Sequence, residues 1–410
     1  MRFNTALLHG EFGADGKTGA TTTPIYQSSA FEQETAEKLE NVFNGREPGF
    51  IYTRIGNPTI DAFERRISFL EGGTGAVACA SGMSAATLAL LNIVRSGEEI
   101  VSGSGIFGGT YSLFGCLEDL GIVTRYAGDN SARSFRENIN EKTRAIYIET
   151  IGNPKLDVYD IKELAELAHS HGIPLIVDNT VTTPYLVKPL SLGADIVIHS
   201  TSKYINGSGN SIGGIIIDGG RFKWDFEKYP SLKPYKKFGN FTYLAKLRKT
   251  IFKDFGACMS PFNAYLSSLG LETMALRLDR LCSNALQLAK VLETHSKIKA
   301  VNYPGLESSE YHPVAAAQFG DKFGAILTIR VGSRENAFKL INDLKYAYNL
   351  SNIGDVRTLV IHPASTIYAT NSPVEMERMG VYEDLIRISV GIEDLEDIIA
   401  DFEQALDKLN

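Results

Sequence analysis

The sequence is poor in cysteine, with only four among its 410 residues: Cys79, Cys116, Cys258 and Cys282. They share no C-x-x-C spacing and lie near no histidine cluster, so neither a disulfide framework nor a zinc site is indicated, and we expect no bound metal. No apolar run approaches the ~20 residues that cross a bilayer, and residues 1–5 lack the apolar stretch of a secretory signal. We therefore expect a cytoplasmic protein without a membrane partner.

An excess of positive charge is also absent. Lysine and arginine total 41 against 48 aspartates and glutamates, a net charge of −7 that does not favour binding to nucleic acid. Hydrophobic residues make up 44% and charged residues 22%, the proportions of a folded globular protein, so a disordered or fibrous chain is excluded. The expected partner is a small molecule.

Strand and helix patterns alternate along much of the chain. We predict strands at residues 76–79, 99–101, 145–149, 175–177, 195–199 and 213–218, and helices at 60–70, 84–94, 111–120 and 161–171. Such alternation is typical of an α/β fold around a mostly parallel sheet.

The composition divides the chain into three regions. Residues 1–55 contain stretches rich in glycine, threonine and proline, which predict an N-terminal arm lying on another surface, and residues 56–255 form the predicted large domain. Residues 256–410 predict a smaller α/β domain that includes one long helix at 266–295. The basic and aromatic segment 221–255 is interpreted as a solvated connector or a subunit contact, because no nucleic-acid-binding module is recognised there.

Three polar motifs directly follow apolar strands, where ligands bind in sheets of this class. Ser81-Gly82 opens a helix, and free backbone N–H groups at a helix start suit a phosphate, although a plain turn and N-cap is the alternative. Asp178 ends a hydrophobic strand, where it either caps the next helix or pairs with a cationic ligand group. Lys203 follows another strand, and burial or nearby cations can lower the pKa of such an amine enough to make it a nucleophile.

Together these motifs match the demands of one cofactor. A phosphate cradle, an acid for a pyridinium nitrogen and a lysine for an aldehyde are what pyridoxal 5′-phosphate (PLP) requires. The competing interpretation is a serine acyl-transfer enzyme, since residues 200–203 fit S-x-x-K and residues 17–19 fit K-T-G. In that class, however, K-T-G follows S-x-x-K along the chain, and S-D-N is absent here.

The order of these motifs resembles the Cys/Met-metabolism family of PLP-dependent enzymes. The resemblance covers nearly the whole chain and includes Y-T-R at 52–54, G-N-P-T at 56–59, S-G-M at 81–83, F-G-G-T-Y at 107–111, Glu149 with N-P at 153–154, D-N-T at 178–180, S-T-S-K-Y at 200–204 and R-I-S-V-G at 387–391. Within the family, residues 255–262, 351–355 and 358–363 are most similar to the O-acetylhomoserine sulfhydrylases. The resemblance implies a PLP-dependent transferase of fold type I, assembled as a tetramer of two active-site dimers.

The resemblance also implies how PLP would be held. Lys203 would carry the cofactor and move protons, Asp178 would keep the pyridine nitrogen protonated, and Phe107 would stack on the ring. The family usually has a tyrosine at the position of Phe107, so the stacking is retained but the hydroxyl is missing unless Tyr52 or Tyr111 supplies one. The phosphate would be bound by Gly82, Met83, Ser200 and Ser202, together with Tyr52 and Arg54 from a neighbouring subunit.

The amino-acid substrate has its own predicted site. By resemblance, Arg387 would bind the α-carboxylate with help from Ser351 and Asn153, and Asn153 would also lie near the cofactor. Tyr111 is assigned to the same site. The implied reaction replaces the acetate of O-acetylhomoserine by sulfide or a thiol, giving homocysteine or methionine. The alternatives are a C–S lyase of the same family acting on methionine or cystathionine, or an inactive binding protein.

Overall fold

Seven strands between residues 75 and 218 form the larger of two sheets. A computed structural model describes residues 1–10, 13–16 and 18–409 of the chain. The strands are β1 Gly75–Cys79, β2 Glu99–Ser102, β3 Val123–Tyr126, β4 Thr143–Glu149, β5 Leu175–Asp178, β6 Ile196–Ser200 and β7 Gly214–Asp218. Their order is β1-β7-β6-β5-β4-β2-β3, and only β7 is antiparallel to its neighbours. The predicted mostly parallel sheet is therefore present.

Helices cover both faces of this sheet. They are α1 Phe3–His9, α2 Ala36–Phe43, α3 Pro58–Glu71, α4 Gly82–Leu91, α5 Gly108–Asp119, α6 Ala132–Asn138, α7 Ile161–Ser170 and α8 Thr183–Leu186. Ile176 and Ile198 pack into a hydrophobic cluster on one face of the sheet, and Val177 and Val197 pack into a second cluster on the other. Strands buried on both faces are continuous apolar runs, which explains the sequence pattern of β5 and β6.

Side-chain caps determine where two of these helices begin. The side chain of Asn57 accepts a hydrogen bond from the Thr59 N–H at 2.9 Å and so starts α3, with Pro58 in its first turn. The Ser81 hydroxyl accepts from the Ser84 N–H at 3.0 Å and starts α4. Each cap belongs to a motif noted in the sequence, so these motifs have a structural function in addition to any chemical one.

The second sheet lies in the C-terminal part of the chain. Its strands are β8 Ala300–Asn302, β9 Ile326–Arg330, β10 Tyr348–Asn349, β11 Leu359–Ile361 and β12 Leu385–Ser389, in the order β10-β11-β12-β9-β8. Only β10 and β11 pair in parallel. The helices of this part are α11 Pro261–Glu272, α12 Met274–Glu293, α13 His312–Phe319, α14 Arg334–Asp343, α15 Pro373–Arg378 and α16 Leu395–Leu406. The domain boundaries at residues 55 and 255 stay predictions.

The connector between the two sheets is less exposed than predicted. It contains the 3₁₀ helix Pro230–Phe241, then α9 Thr242–Leu247, a π-helical turn and α10 Lys253–Phe255. Tyr229, Tyr243 and Leu247 are buried in the same cluster as Ile176. The segment is therefore only partly solvated: these side chains cover apolar surface of the large sheet, while Lys233, Lys236 and Lys237 are exposed, and a subunit contact stays a prediction.

Two other helix predictions need correction. The long helix expected at 266–295 is two helices, α11 and α12, which are separated at Thr273, where φ is −107°. Apolar periodicity continues through the break and therefore does not reveal it. The arm, in which no helix was predicted, contains α1 and α2, and Leu7 of α1 is buried in the core.

The break between α11 and α12 is bridged by Arg277. Its guanidinium donates to the carbonyl oxygens of Tyr204 at 2.7 Å, Ile205 at 3.2 Å and Gly270 at 2.6 Å. Burial lowers the pKa of Arg277 to about 10. This one side chain therefore joins the C-terminal helices to the backbone directly after Lys203.

We predict that Arg277→Lys destabilises the protein. A lysine cannot reach three divergent carbonyls, so buried acceptors lose their donors, and we expect the free energy of unfolding to fall by about 2 kcal/mol. Urea unfolding followed by fluorescence measures this change. Arg280→Lys, on the same helix but in an exposed pair with Asp394, is the matched control and should have little effect. Equal destabilisation by both variants would contradict the bridging role.

Candidate active site

A cavity of about 440 Å³ opens at the carboxyl ends of β4, β5 and β6 and is closed on one side by residues of the second sheet. This is where ligands bind in open α/β sheets. Ten of the predicted site residues line it: Gly82, Met83, Phe107, Asn153, Asp178, Ser200, Ser202, Lys203, Ser351 and Arg387. The fold thus brings together residues that are widely separated along the chain.

Lys203 lies in the cavity three residues beyond the end of β6. Its Nζ donates to Oδ1 of Asn352 at 2.6 Å. Burial, followed by the positive charge of Arg387, lowers the pKa of Lys203 to about 8. Neutral amine is therefore available near neutral pH, as a lysine nucleophile or base requires.

Asp178 ends β5 and faces the same cavity. Its Oδ1 accepts the Thr180 N–H at 2.9 Å, and the Tyr147 hydroxyl lies 3.4 Å from Oδ2. Burial raises the pKa of Asp178 despite these donors. A cationic ligand group beside it would offset the cost of burying the carboxylate.

The start of α4 forms the opposite wall of the cavity. Gly82 packs so closely against Ser200 that an added Cβ would lie 2.6 Å from the Ser200 Cβ. The Ser202 hydroxyl lines the cavity and accepts the Gly213 N–H at 3.0 Å. A helix N-terminus with adjacent serine hydroxyls is suited to a phosphate group.

Arg387 enters the cavity from β12 of the second sheet. It is 3% exposed, and its guanidinium donates to Oδ1 of Asn153 at 3.0 Å and to the carbonyl oxygen of Asn352 at 3.1 Å. Burial lowers its pKa to about 10. Within the part of the chain that the structure describes, no carboxylate lies within ion-pair distance of Arg387. A buried guanidinium with only neutral acceptors is suited to the carboxylate of a ligand.

Phe107 is held by a buried glutamate. The Phe107 N–H donates to Oε1 of Glu149 at 2.7 Å. A Cβ on Gly109 would lie 2.5 Å from the Phe107 ring, so a glycine is needed there for this ring position. Burial and the charge of Asp178 raise the pKa of Glu149 well above its ordinary value. Glu149 thus acts as a support for Phe107, while Ser351 lies at the exposed edge of the cavity.

Three predicted site residues lie outside this cavity. Tyr52 is 43% exposed, and the guanidinium of Arg54 lies 5.5 Å from the centre of its ring. Arg54 also donates to the carbonyl oxygen of Lys253. The hydroxyl of Tyr111 donates to Glu375 at 2.8 Å, so the structure places Tyr111 in a contact with α15 rather than in the cavity.

The sequence analysis assigned no role to Asn352 or Thr180, which hold predicted residues of the cavity in place. Asn352 holds Lys203 through its side chain and Arg387 through its carbonyl oxygen, and Thr180 accepts the Ser200 N–H at 2.8 Å. Asn352 directly follows Ser351, and Thr180 lies two residues after Asp178 in a recognised motif, so proximity to predicted residues was the available signal. Their contacts cross between chain segments, which a one-dimensional pattern does not show.

Metal-ligand clusters and membrane-spanning helices are the next features of the chain to consider. Within residues 1–10, 13–16 and 18–409, no group of three or more His, Cys, Asp or Glu is placed to hold a metal ion. None of the described helices is both long and apolar enough to cross a membrane. Lys17, which begins the K-T-G motif, lies outside the described residues.

The cavity fits a phosphorylated pyridine aldehyde such as PLP. Lys203 offers an amine with a lowered pKa, Asp178 offers a carboxylate whose burial calls for a cation, and the start of α4 offers N–H groups for a phosphate. These three features lie on the wall of one cavity. No rearrangement is needed to bring them together.

Comparison with known proteins agrees with this geometry. The family described as "Cys/Met metabolism PLP-dependent enzyme" matches residues 4–407. The chain is 42% identical to O-acetyl-L-homoserine sulfhydrylase of Leptospira meyeri, covering 98% of this chain and 96% of that protein. It is 41% identical to homocysteine synthase of Schizosaccharomyces pombe, covering 99% and 98%.

Solved structures support the same assignment. The metY protein of Campylobacter jejuni, crystallised with N′-pyridoxyl-lysine-5′-monophosphate, superposes with a TM-score of 0.95 at 33% identity over 100% of both chains. The metB protein of Corynebacterium glutamicum gives a TM-score of 0.88 at 35% identity over 100% of this chain and 99% of that one. The predicted fold type I and the predicted cofactor are confirmed. This chain belongs to the Cys/Met-metabolism family of PLP-dependent enzymes.

Proposed function

We propose that this enzyme replaces the acetate of O-acetyl-L-homoserine by sulfide or a thiol, giving homocysteine or methionine. The observation that carries the proposal is the buried Arg387, which lacks a carboxylate partner in the described structure and shares one cavity with Lys203. An α-amino acid supplies the missing carboxylate. Relatives named O-acetyl-L-homoserine sulfhydrylase or homocysteine synthase, at about 40% identity, support the choice of leaving group.

Arg387 and Asn153 would orient the substrate. A guanidinium binds a carboxylate with two parallel hydrogen bonds, which holds the amino acid in one orientation. The 3.0 Å hydrogen bond from Arg387 to Asn153 holds the guanidinium in place before substrate arrives. Ser351, at the edge of the cavity, would add a hydroxyl to the same carboxylate.

Lys203 would move the protons. When bound, PLP supplies an electron sink for the bonds around the substrate Cα. Lys203, as a neutral amine, would take the proton from Cα, give it up to C4′ of the cofactor and then be free to take the proton from Cβ. Acetate could then leave Cγ, and Lys203 would return protons as the sulfur nucleophile adds there. Asn352 would hold the Lys203 amine at the cavity wall, and Asp178 would keep the pyridine nitrogen protonated. Phe107 would cover the ring without contributing a hydroxyl.

The phosphate would be shared between subunits. Gly82, Met83, Ser200 and Ser202 would contact it from the chain that carries Lys203. Tyr52 and Arg54 would reach the same phosphate in a neighbouring chain of a cytoplasmic homotetramer. Their position on the arm, outside the cavity of their own chain, supports this role.

The proposed reaction can be tested directly. Purified protein with O-acetylhomoserine should form homocysteine and acetate only when sulfide is added, and Lys203→Ala should abolish the product because no amine remains to move protons. Homocysteine and 2-oxobutyrate are quantified in the same samples. Release of 2-oxobutyrate from methionine or cystathionine, without sulfide-dependent homocysteine, would identify a C–S lyase instead.

The lowered pKa of Lys203 predicts how cofactor attachment depends on pH. Only the neutral amine attacks an aldehyde, so the rate at which PLP attaches to cofactor-free protein should rise with a midpoint near pH 8, not near the ordinary 10.5. Arg387→Gln removes a neighbouring cation and should move the midpoint upward. Stopped-flow absorbance measures the rate. Arg330→Gln, on the adjacent strand and paired with Asp384, should leave the midpoint in place.

Sharing of the site predicts complementation between variants. Lys203→Ala and Arg54→Ala should each be inactive alone, but randomly mixed dimers should recover about a quarter of the wild-type activity, because one of the two sites in each hybrid has both residues. Activity after unfolding and refolding the mixture together is the measurement. If the mixture remains inactive while each variant folds, both residues act within one chain.

A further inference from the structure

A buried polar cluster lies behind the cavity and is not used in the proposed chemistry. It consists of Glu71, Asn179 and His199, here called the Glu71 cluster. Oε1 of Glu71 accepts a hydrogen bond from Nε2 of His199 at 2.6 Å and from Nδ2 of Asn179 at 2.8 Å. The side chains of Glu71 and His199 are completely inaccessible to solvent. An ionised carboxylate can only accept, so one oxygen serves both donors.

The two donors are chain neighbours of two predicted cofactor contacts. Asn179 directly follows Asp178, and His199 directly precedes Ser200. Successive side chains in a strand point to opposite faces of a sheet. Ser200 therefore lines the cavity while His199 is buried behind it. Glu71, the last residue of α3, joins the two strand ends from the rear.

Side chains are needed there because the backbone pairing stops. The ladder between β5 and β6 ends at the pair Asp178 and Ile198, followed by one bond from the Asn179 N–H to the Ile198 carbonyl oxygen at 2.9 Å. Beyond that point the ladder does not continue. Among the described residues, the two segments are then connected by the hydrogen bond from the Ser200 N–H to the Thr180 hydroxyl on the cavity side and by the Glu71 cluster on the other side.

We propose that Glu71 is a positioning residue that sets the spacing between Asp178 and Ser200. The proposal rests on the proposed placement of PLP, in which Asp178 contacts the ring nitrogen and Ser200 the phosphate. Asp178 and Ser200 would thus contact two different groups of the same cofactor. A change in their spacing would therefore weaken both contacts at once.

A similar carboxylate contact joins β5 and β6 at their other ends and serves as the comparison for Glu71. Asp195, just before β6, is buried, accepts the Leu175 N–H of β5 at 2.8 Å and contacts Nε2 of His169 at 2.9 Å. A carboxylate and a histidine thus also join β5 and β6 here, roughly 13 Å from the cavity at about 3.3 Å per residue. Loss of either carboxylate should destabilise the protein, but only Glu71 should affect the cofactor.

The test compares Glu71→Leu with Asp195→Leu. Because both donors of the Glu71 cluster contact the same oxygen, a glutamine could still serve them, whereas a leucine removes the acceptor. We expect both variants to lower the melting temperature of cofactor-free protein. Glu71→Leu should in addition raise the Kd for PLP about tenfold and alter the visible absorption of the bound cofactor, because His199 loses its acceptor beside Ser200 and Asn179 keeps only the Val187 carbonyl oxygen beside Asp178. Asp195→Leu should leave both cofactor readouts unchanged.

A second pair of variants covers the case in which Glu71→Leu does not fold. His199→Gln retains an N–H donor near the position of Nε2 and should keep most of the PLP affinity, whereas His199→Leu should lose it. Equal PLP affinities for His199→Gln and His199→Leu, or for Glu71→Leu and Asp195→Leu, would overturn the proposal. Asp178→Asn distinguishes failure of the Glu71 proposal from failure of the proposed PLP placement. If Asp178→Asn leaves the PLP affinity and the absorption of the cofactor unchanged, the placement of the cofactor is wrong, rather than the role of Glu71.

Discussion

The arrangement on which the site depends is a pair of cations, Lys203 and Arg387, joined through the neutral residue Asn352. Asn352 accepts from Lys203 with its side chain and from Arg387 with its carbonyl oxygen. Because neither contact neutralises a charge, the repulsion adds to burial and lowers the pKa of Lys203 to about 8. A carboxylate in place of the Asn352 amide would put a negative charge on Lys203 and raise the pKa of its amine, so less neutral amine would be available.

The fold maintains this arrangement by packing the second sheet against the first. Lys203 follows β6 of the large sheet, and Arg387 lies on β12 of the other. Arg277 binds the carbonyls after Lys203, and Gly354 donates its N–H to the Ser389 hydroxyl of β12 at 3.0 Å. These buried contacts keep two cations close without an anion between them. A ligand carboxylate bound at Arg387 would offset this cost.

Sequence reasoning worked best where local rules decide the structure. Asp178 and Lys203 were found because each directly follows an apolar strand, and parallel strands bring their carboxyl ends to one edge of the sheet. Tyr111 shows the limit of motif reasoning, since it lies in the same motif as Phe107 but on a helical face that binds Glu375. The break at Thr273 was missed because the apolar periodicity of one helix continues into the next.

The sequence by itself determined the fold class, the cofactor family and the chemical groups available at each strand end, since these depend on short apolar runs and on motifs read in order. Only the tertiary structure decided which groups meet. Arg387 and Asn153 are 234 residues apart along the chain, and their contact depends on how two sheets pack. The convergence of Asn179 and His199 on Glu71 likewise depends on where α3 ends behind the sheet. Burial and distance in three dimensions set the pKa values and the pairing of charges, and no local pattern records them.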